Sequence, residues 1–390
     1  MTILVLSEVF PPKVGGSGRW LWELHRRLHG YDVHVVAGMT AGDAAFDASS
    51  ELPIHRMRLK FPNWGVLDPR CGLEYLRAFV RLNRLVAEIR PDVIHCGRCL
   101  PEGLLALLLK RRRGVPFVCF AHGEELTLAD TSRELRWLTR RVVSGATSIV
   151  ANTQHTKQIL LKTAGASEQK VDVLHPGVDT SLFKPAPPDA VLRERLGWAG
   201  RRVVLTVGTL IKRKGQDMLI RALPAIRRRC PDVLYVIVGE GWGKPYLQAL
   251  AAEERVEDLV QFRGMPTDTE LIECYQQCDL FALPNRRIGW DLEGFGIVLI
   301  EAQACGKPVI AGRSGGAPET LEPGRTGELI ACESPDELAR VVPALLEDPE
   351  RRAALSLHAR QLALERFDWP VLTRQAEALF GKTAPLSKNP

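Results

Sequence analysis

The chain repeats one pattern twice: short apolar runs alternate with longer amphipathic runs of helical period. In the first half the apolar runs are ILVLS, VHVVAG, VIHC, FVCFAHG and SIVANT, and in the second half they are RVVLTVG, LYVIVG, LVQFRG, LFALP and PVIAG. Apolar runs of this length between helices are typical of parallel strands that are covered on both faces. The sequence therefore predicts an α/β protein with two doubly wound parallel sheets.

A stretch rich in proline and glycine separates the two halves. It extends from Val171 to Ala190 and shows no helical period, which is typical of a linker between domains. The length of 390 residues also exceeds what one hydrophobic core usually supports. We therefore predict a first domain over residues 1–178 and a second over residues 179–366. The tail ERFDWPVLTRQAEALF predicts one further amphipathic helix.

Composition limits the class of protein. The hydrophobic fraction of 45% and the charged fraction of 25% are ordinary for a soluble globular protein. No apolar run approaches the roughly 18 residues of a membrane span, and the start MTILVLSEVF lacks the features of a secretory signal. The nine cysteines are expected to be reduced core residues of a cytoplasmic protein. Cys96 and Cys99 have a spacing found in zinc and redox sites, but a single such pair is weak support for either.

The positive charge lies in the first half. Residues 1–178 carry 24 Lys and Arg against 17 Asp and Glu, and the excess positive charge is concentrated at residues 110–113 and 133–141. Such patches fit a phosphorylated acceptor or an acidic membrane surface, and they fit equally well a solvated helix face. The aromatic segment 61–70 favours a peripheral membrane contact. We expect no nucleic-acid partner, because no recognition motif accompanies the charge.

The stretch from Asp291 to Gly312 predicts a loop, a helix and a strand. Its glycines permit close approach of a ligand, and a helix that begins near Gly296 directs its N–H groups and positive dipole end at a phosphate. Glu293 lies on the loop and Glu301 inside the helix, where helical side chains tilt toward the N-terminus. Two carboxylates that accept hydrogen bonds from hydroxyls beside a phosphate cradle indicate a nucleotide-sugar site. Taken alone, the glutamate pair fits a helix cap with a solvated face equally well.

This stretch resembles the signature of the retaining glycosyltransferases of family 4, which have the GT-B fold. The segment GGAPETLEPGRTGELI, residues 315–330, extends the resemblance. Within the family the chain looks most like bacterial phosphatidylinositol mannosyltransferases, which also carry an acidic residue just before this stretch. The resemblance implies two facing Rossmann-like domains, with the acceptor bound by the first and the donor by the second. It also implies that the C-terminal helix, within residues 367–390, crosses back to the first domain.

The resemblance implies several contacts to the donor in the second half. Lys214 opens a helix together with a glycine and matches the lysine that the family places on the donor diphosphate. The family commonly has an arginine five residues earlier, where this chain has Thr209, and Lys212 or Arg213 are the candidate substitutes. The segment 261–265 matches the loop that touches the nucleobase. The resulting donor-binding candidates are Gly15, Gly16, Thr209, Arg213, Lys214, Arg263, Met265, Glu293, Gly294, Phe295, Gly296, Ile297, Val298 and Glu301.

Two features of the first half also lie at predicted strand ends. Gly15 and Gly16 predict a tight turn before a helix that begins near residue 17, and the family has a Gly-Gly loop there that approaches the donor diphosphate. His122 follows the strand VPFVCFA, and the pattern His-Gly-x-Glu matches the family through Glu125. The resemblance implies that His122 contacts and orients the sugar. Thr153 is a candidate cap of the next helix.

The predicted activity is transfer of a hexose from a nucleotide-diphosphate sugar to an acceptor hydroxyl. Mannose from GDP-mannose is preferred on the mannosyltransferase likeness, and UDP-glucose or UDP-GlcNAc is the alternative, as is a catalytically silent nucleotide-sugar-binding protein. The catalytic candidates are His122, Lys214 and Glu293. We expect no cofactor and no metal, because no Asp-x-Asp motif follows a strand. The acceptor stays open between a lipid-linked, a phosphorylated and a sugar molecule, and the expected location is the cytoplasm or the inner face of the membrane.

Overall fold

The computed structural model describes residues 1–13 and 15–383. The chain contacts divide it into two units, each of which is described by itself. Unit 1 comprises Met1–Pro176 with the helix that begins at Trp369, and unit 2 comprises Gly177–Asp368. Of the helix expected within 367–390, residues 384–390 lie outside the described residues.

Unit 1 contains seven parallel strands in the order β3-β2-β1-β4-β5-β6-β7. The strands are β1 (Thr2–Ser7), β2 (Asp32–Gly38), β3 (Ile54–Met57), β4 (Val93–Cys96), β5 (Phe117–Ala121), β6 (Ser148–Ala151) and β7 (Val171–Val173). The helices are α1 (Gly16–His25), α2 (Asp43–Ser49), α3 (Pro69–Ile89), α4 (Leu104–Arg113), α5 (Glu124–Ala129), α6 (Arg133–Gly145) and α7 (Gln154–Ile159).

Unit 2 contains six parallel strands in the order β10-β9-β8-β11-β12-β13. The strands are β8 (Arg202–Val207), β9 (Val233–Val238), β10 (Val260–Gly264), β11 (Leu280–Leu283), β12 (Val309–Gly312) and β13 (Gly327–Ile330). The helices are α8 (Ala190–Arg195), α9 (Gln216–Arg229), α10 (Lys244–Glu253), α11 (Asp268–Gln277), α12 (Ile297–Ala304), α13 (Asp336–Leu346) and α14 (Pro349–Leu362). The last helix of the chain, α15 (Trp369–Thr383), belongs to unit 1.

Each sheet is buried on both faces, which explains why its strands are nearly continuous apolar runs. In β1, Leu4 and Leu6 pack in one core cluster while Ile3 and Val5 pack in the cluster on the opposite face. The second of these clusters includes the buried side chain of Phe380 from α15. The predicted amphipathic tail helix is therefore confirmed, and its apolar face completes the core of unit 1.

The apolar pattern misses three strands. These are β3, β7 and β13, which are four, three and four residues long. Each lies at an edge of its sheet and contains a charged residue, so it does not form a continuous apolar run. Since β7 pairs with β6 through Ile149 and Val171, the predicted linker begins too early, and its first three residues belong to the sheet of unit 1.

Among residues 1–13 and 15–383, no helix is both long and apolar enough to cross a membrane.

Candidate functional site

The sheet of unit 2 changes its direction of winding between β8 and β11. Strands β9 and β10 follow on one side of β8, and β12 and β13 follow on the far side of β11. In open parallel sheets, ligands bind outside the carboxyl ends of the strands at such a switch point. The loops that leave β8 and β11 here span residues 208–215 and 284–296. They carry the predicted lysine and the first predicted glutamate.

A tight turn delivers Lys214 to this switch point. Residues Lys212–Lys214 form a 3₁₀ turn, and Gly215 ends it with a φ of 76° before α9 begins. A Cβ atom on Gly215 would lie 1.8 Å from the carbonyl oxygen of Pro284. A side chain is excluded both by this close approach and by the left-handed backbone. The glycine therefore lets the turn after β8 lie directly against the loop after β11.

Four charged side chains meet in what we call the ionic cluster: Arg213, Lys214, Asp291 and Glu293. The Oε2 atom of Glu293 lies 2.6 Å from Lys214 Nζ and 2.7 Å from Arg213 Nη1. Arg213 Nε lies 2.9 Å from Asp291 Oδ1. The side chains of Lys214 and Glu293 are only 11% and 8% exposed. Two cations and two carboxylates are thus held together with little solvent between them.

The cluster keeps Glu293 ionised. Burial alone raises the pKa of a carboxyl, because it disfavours the charged form. The Lys214 and Arg213 cations, together with the hydrogen bonds they donate, outweigh burial and hold the pKa of Glu293 below its ordinary value. The carboxylate is therefore an acceptor only, suited to sugar hydroxyls that donate hydrogen bonds.

Helix α12 begins directly beside the ionic cluster. Gly296 precedes it with a φ of 95°, and no side chain within residues 15–383 caps this N-terminus. The first N–H groups of a helix have no partner within the helix, so they form an anion-binding position. Ile297 and Val298, both partly exposed, form its first turn. Glu301 lies buried farther along the helix, where its Oε2 accepts a hydrogen bond of 2.8 Å from the Tyr275 hydroxyl.

The segment of residues 315–330 contacts the loop of Glu293 from the other side. The N–H of Gly316 donates to the carbonyl of Glu293 over 2.9 Å. A Cβ atom on Gly315 would lie 2.0 Å from the same carbonyl oxygen. Buried Asn285 joins the neighbouring loops, because it accepts a hydrogen bond from Gly312 N and donates one to Ser314 O. Asn285 belongs to no recognisable motif, so its role could not be predicted from the sequence.

The structure does not bring all predicted donor residues together in side-chain contact. Phe295 is buried and packs edge-on against Phe367 at 5.8 Å, so its side chain belongs to the core and only its backbone faces the loop. Gly294, between Glu293 and Phe295, is half-buried. Core packing places the apolar ring, so a donor contact at Phe295, which stays a prediction, would be made by its backbone.

Three other predicted residues lie away from the ionic cluster. Thr209 is exposed at the start of the loop after β8, and its carbonyl accepts a hydrogen bond from Gln216. The guanidinium of Arg263 donates to the carbonyl of Leu196 over 3.2 Å. Met265 is 60% exposed just after β10. In this part of the site, therefore, Arg213 and not residue 209 supplies the second cation.

In unit 1, His122 lies at the carboxyl end of β5. Its ring Nε2 lies 2.7 Å from the carbonyl oxygen of Gly97, which only accepts, so Nε2 carries the proton and Nδ1 is the acceptor. The ring also packs edge-on against Trp20 at 5.4 Å. Burial first, and then the Arg98 cation, lower the pKa of His122 to about 4. His122 is therefore a neutral, fixed imidazole near neutral pH.

The His-Gly-x-Glu pattern has a local structural reason. The Oε1 atom of Glu125 accepts a hydrogen bond of 2.8 Å from the backbone N–H of His122. Glu125 thereby fixes the backbone on which the imidazole stands. Burial raises the pKa of Glu125, and burial raises that of nearby Glu102 as well. Each of these two carboxyls has an Oε2 atom buried without a hydrogen-bond partner in the described chain.

The predicted tight turn at Gly15 and Gly16 is not found. Gly15 has extended backbone with a φ of 167°, and Gly16 is already the first residue of α1. The constraint here is close approach: a Cβ atom on Gly18 would lie 2.4 Å from the carbonyl oxygen of Val9. Gly18, which was not predicted from the sequence, is therefore the glycine that lets α1 lie against the backbone of Val9. The predicted cap is confirmed, since Thr153 accepts a hydrogen bond from Thr156 N at the start of α7.

All nine cysteines are buried and unpaired, as predicted. A hydrogen bond to Cys119 and burial raise the pKa of the Cys99 thiol well above its ordinary value, and burial raises that of Cys96. Thiols in such surroundings stay protonated and inert. Within residues 1–13 and 15–383, no group of three or more His, Cys, Asp or Glu side chains is arranged to hold a metal ion.

The sequence matches two family models that together span most of its length. Residues 14–182 match the model described as Glycosyltransferase Family 4, and residues 190–362 match Glycosyl transferases group 1. The chain is 35% identical over 387 residues to the GDP-mannose-dependent alpha-(1-6)-phosphatidylinositol monomannoside mannosyltransferase of Mycolicibacterium smegmatis, covering 97% of this chain and 98% of the relative. It is 34% identical over 379 residues to a D-inositol 3-phosphate glycosyltransferase of Thermobispora bispora, covering 91% and 87%.

Solved structures share the architecture. The Anabaena protein HepE in complex with UDP superposes with a TM-score of 0.83 at 25% identity, covering 98% of this chain and all of that one. Sucrose-phosphate synthase from Thermosynechococcus elongatus superposes with a TM-score of 0.81 at 21% identity, covering 98% and 99%, and this likeness concerns the fold alone. These superpositions confirm the predicted pair of Rossmann-like domains.

Proposed function

We propose that this chain, which belongs to glycosyltransferase family 4 and is a hexosyltransferase, transfers mannose from GDP-mannose to an acceptor hydroxyl. The observation that carries this proposal is the ionic cluster at the switch point of unit 2. It combines two cations, of which Lys214 is buried and Arg213 partly exposed, with a carboxylate kept ionised, directly beside the N-terminus of α12. Those are the chemical groups that a ligand with both a diphosphate and sugar hydroxyls requires.

In this proposal each group of the cluster has one task. Lys214, assisted by Arg213, meets the negative charge that develops on the departing nucleoside diphosphate, and the N–H groups at Ile297 add to it. Preorganised charge at such a position is usually the largest catalytic contribution. Glu293 exchanges its contacts to the cations for hydrogen bonds to sugar hydroxyls. After the exchange the cations are paired with phosphate and the carboxylate is hydrogen-bonded to hydroxyls, so no charged group is left without a partner.

The donor assignment is supported by the relatives' names. The Mycolicibacterium smegmatis protein, similar over nearly the full length, is named as GDP-mannose-dependent. A UDP-sugar is the alternative, because the structurally similar HepE was solved with UDP-glucose. A transfer assay with GDP-mannose, UDP-glucose and UDP-GlcNAc separates them. Release of GDP alone supports the proposal, and release of UDP alone contradicts it.

Donor binding can be measured without knowing the acceptor. A ligand at a hundred times its dissociation constant adds about 2.7 kcal/mol to the free energy of unfolding. A thermal-shift panel of GDP, UDP and their sugars therefore reports the preferred base directly. We expect the guanine nucleotides to raise the melting temperature. Stabilisation by uridine compounds alone would overturn the choice of GDP-mannose.

We further propose that the sugar keeps its anomeric configuration. Glu293 is engaged with the cations and with sugar hydroxyls, so the departing phosphate itself takes the proton of the acceptor hydroxyl on the same face. His122, neutral and fixed by Gly97, orients the sugar. Proton NMR of the product formed from the α-configured donor gives the test. An α-linked product supports this mechanism, and a β-linked product excludes it.

The proposed mechanism assigns the leaving-group charge to protein cations and requires no metal ion. Lys214 and Arg213 already lie at the switch point, held on Glu293 at 2.6 and 2.7 Å. Turnover should therefore be unchanged in excess chelator. Loss of activity that magnesium or manganese restores would contradict this part of the proposal.

We also propose that unit 1 meets its acceptor at an anionic membrane surface at the inner face of the membrane. The supporting observation is the outer face of α3, where Leu73, Leu76 and Val80 are 46%, 57% and 43% exposed. Exposed Arg77 and Arg81 alternate with them on the same helix. A helix that presents apolar and basic side chains on one face is suited to the interface of an anionic bilayer.

Liposome flotation tests this contact. We expect the protein to bind vesicles with phosphatidylglycerol at low salt and to be released at high salt, because screening weakens the arginine contribution. Leu76→Ser should weaken binding, whereas Leu357→Ser, which removes a leucine 69% exposed on α14 of unit 2, should not. No binding in either salt condition would favour a soluble phosphorylated or sugar acceptor.

A further inference from the structure

We infer that Arg286 and Asp217 are positioning residues for the cations that meet the donor diphosphate. They hold the turn that carries Arg213 and Lys214 in place, and they do so from within the core. The inference rests on the proposed function, because it takes the ligand of this turn to be a nucleoside diphosphate.

The two side chains form a forked ion pair. Arg286 Nη1 lies 2.8 Å from Asp217 Oδ1, and Arg286 Nη2 lies 2.7 Å from Asp217 Oδ2. Their side chains are 10% and 4% exposed. Two parallel hydrogen bonds between planar groups fix distance and orientation together, which a single contact does not.

This fork is tied directly to the catalytic turn. The backbone N–H of Arg286 donates to the carbonyl of Arg213 over 2.9 Å. Asp217 is the second residue of α9, three positions after Lys214. The segment after β11 thus grips the turn at two places, through the backbone at residue 213 and through the fork at residue 217. Between them, Gly215 lies directly against Pro284.

Stability alone does not account for a pair of this kind. Two charges removed from water lose hydration that their mutual attraction only roughly offsets, so apolar residues of similar volume often serve stability as well. What the fork adds is one defined geometry between the β11 loop and the start of α9. The geometry fixed in this way is the one that places Lys214 Nζ on the ligand side of the turn.

The expected effect is on the diphosphate. A misplacement of about 1 Å in a catalytic site costs on the order of 10²-fold in rate. We therefore expect Asp217→Asn to lower kcat/KM by 10- to 100-fold. It should weaken binding of the nucleoside diphosphate while leaving binding of the nucleoside alone unchanged, because segment 261–265, predicted to touch the nucleobase, lies at the end of β10, whereas the fork joins the segments after β8 and β11.

The experiment measures dissociation constants for GDP and guanosine, or for UDP and uridine if the protein prefers them. It compares the unmodified enzyme with Asp217→Asn, with Arg286→Lys and with Asp232→Asn. Asp232→Asn is a matched control. It breaks the fork between Arg202 and Asp232 at the amino ends of β8 and β9, at the edge of the sheet opposite the carboxyl ends. Arg286→Lys keeps the charge and the backbone bond but loses the fork, and it serves if Asp217→Asn fails to fold.

We expect the affinity ratio of diphosphate to nucleoside to fall about tenfold in both site variants and to stay unchanged in the control. In a Lys214→Ala background, Asp217→Asn should then have a much smaller further effect, because neighbours that act through one group are not additive. An unchanged ratio in both site variants, or fully additive losses, would overturn this inference while leaving the proposed function intact. If the unmodified enzyme binds no nucleoside diphosphate, the proposed function fails and this inference with it.

Discussion

The carboxyl edges of the two sheets differ in the charge state that they favour for buried ionisable groups. At the edge of unit 2, four charged side chains meet, two of them buried, and the pKa of Glu293 is lowered by its two cations despite burial. At the edge of unit 1, burial dominates: it lowers the pKa of His122 and raises the pKa of Glu102 and Glu125. We call the first the ionic edge, and we call the second the neutral edge because burial favours the neutral forms of these three groups, although Glu8 forms ion pairs beside them.

Counter-charge at contact distance accounts for the difference. Glu293 has two cations within 2.7 Å. In unit 1, the Arg98 cation lowers the pKa of Glu102 less than burial raises it, and Arg98 forms its ion pair with Glu8 at 3.6 Å. Without a close partner, a buried group reduces its energy by becoming neutral. Unit 2 is thus equipped to meet a charge, and unit 1 to present neutral hydrogen-bonding groups.

The largest effect should come from removing the central cation. Lys214→Ala takes away the charge that meets the leaving diphosphate, so kcat should fall by about 10²-fold or more, as for loss of one oxyanion donor. Steady-state kinetics with saturating donor measure it. Arg229→Ala, which removes an exposed cation at the other end of α9, is the control and should be neutral. Normal turnover of Lys214→Ala would show that the ionic edge is not the catalytic one.

Histidine buried in the core of unit 1 should affect stability in acid. His25 Nδ1 lies 2.7 Å from Leu21 O, and its Nε2 lies 2.9 Å from His95 Nδ1 in the core of unit 1. Burial lowers the pKa of His25 to about 4, whereas an unfolded histidine titrates near 6.5. The unfolded state therefore binds more protons below pH 6.5, and stability that is complete above that pH is lost as pH falls toward 4.

From pH 7 to pH 5 this linkage should remove about 2 kcal/mol from the free energy of unfolding. Urea unfolding at the two pH values measures the loss. His25→Gln should make the pH dependence shallower, while His29→Gln, at a side chain 90% exposed, should not. An identical slope in His25→Gln and the unmodified protein would mean that the histidine pair is already solvated.

The second cation tests how the ionic edge replaces the arginine that the family commonly has at position 209. Arg213→Ala should lower kcat/KM by about tenfold, less than Lys214→Ala, because one charge-assisted contact is removed while the lysine remains. Thr209→Arg added to Arg213→Ala should recover part of the loss. Arg287→Ala, at an arginine in the same β11 loop, is the control. Unchanged kcat/KM in Arg213→Ala would assign the second charge to another group.

The smallest expected effect is a null result at the neutral edge. Because the pKa of His122 is lowered to about 4, its charge does not change between pH 6 and pH 8. The pH profiles of kcat/KM for the unmodified enzyme and for His122→Asn should differ in height and not in shape over this range. A step near pH 6.5 that His122→Asn abolishes would show that the imidazole is exposed to solvent during turnover.

Local pattern explains which parts of the site the sequence predicts. The positions of Lys214, Glu293 and Glu301 follow from a glycine turn, a loop and a helix start, all of which are short-range features. The strands and the tail helix follow from the apolar period. The buried position of the Phe295 ring does not follow from the sequence, because a loop has no period that marks a core side chain.

Long-range partners stay hidden from the sequence. Arg286 and Asp217 are 69 positions apart, and neither position belongs to a local motif. Asn285 joins two loops 27 positions apart in the chain. The geometry of such contacts depends on how β8, β11 and β12 lie side by side. The order of the strands in the sheet brings these residues together, and the sequence alone is compatible with several strand orders.

The double ion pair on Glu293 also bears on which cellular anions reach this site. Without a donor, the carboxylate occupies the two cations that a phosphate would seek. Inorganic phosphate, abundant in any cell, must displace Glu293 and leaves that carboxylate buried with nothing in exchange. A nucleotide sugar offers hydroxyl groups to the displaced carboxylate as well as phosphates to the cations. If the proposed donor contacts hold, the enzyme thereby screens its substrate against the commonest competing anion, and the discriminating element is a residue of the protein with the same charge as the ligand.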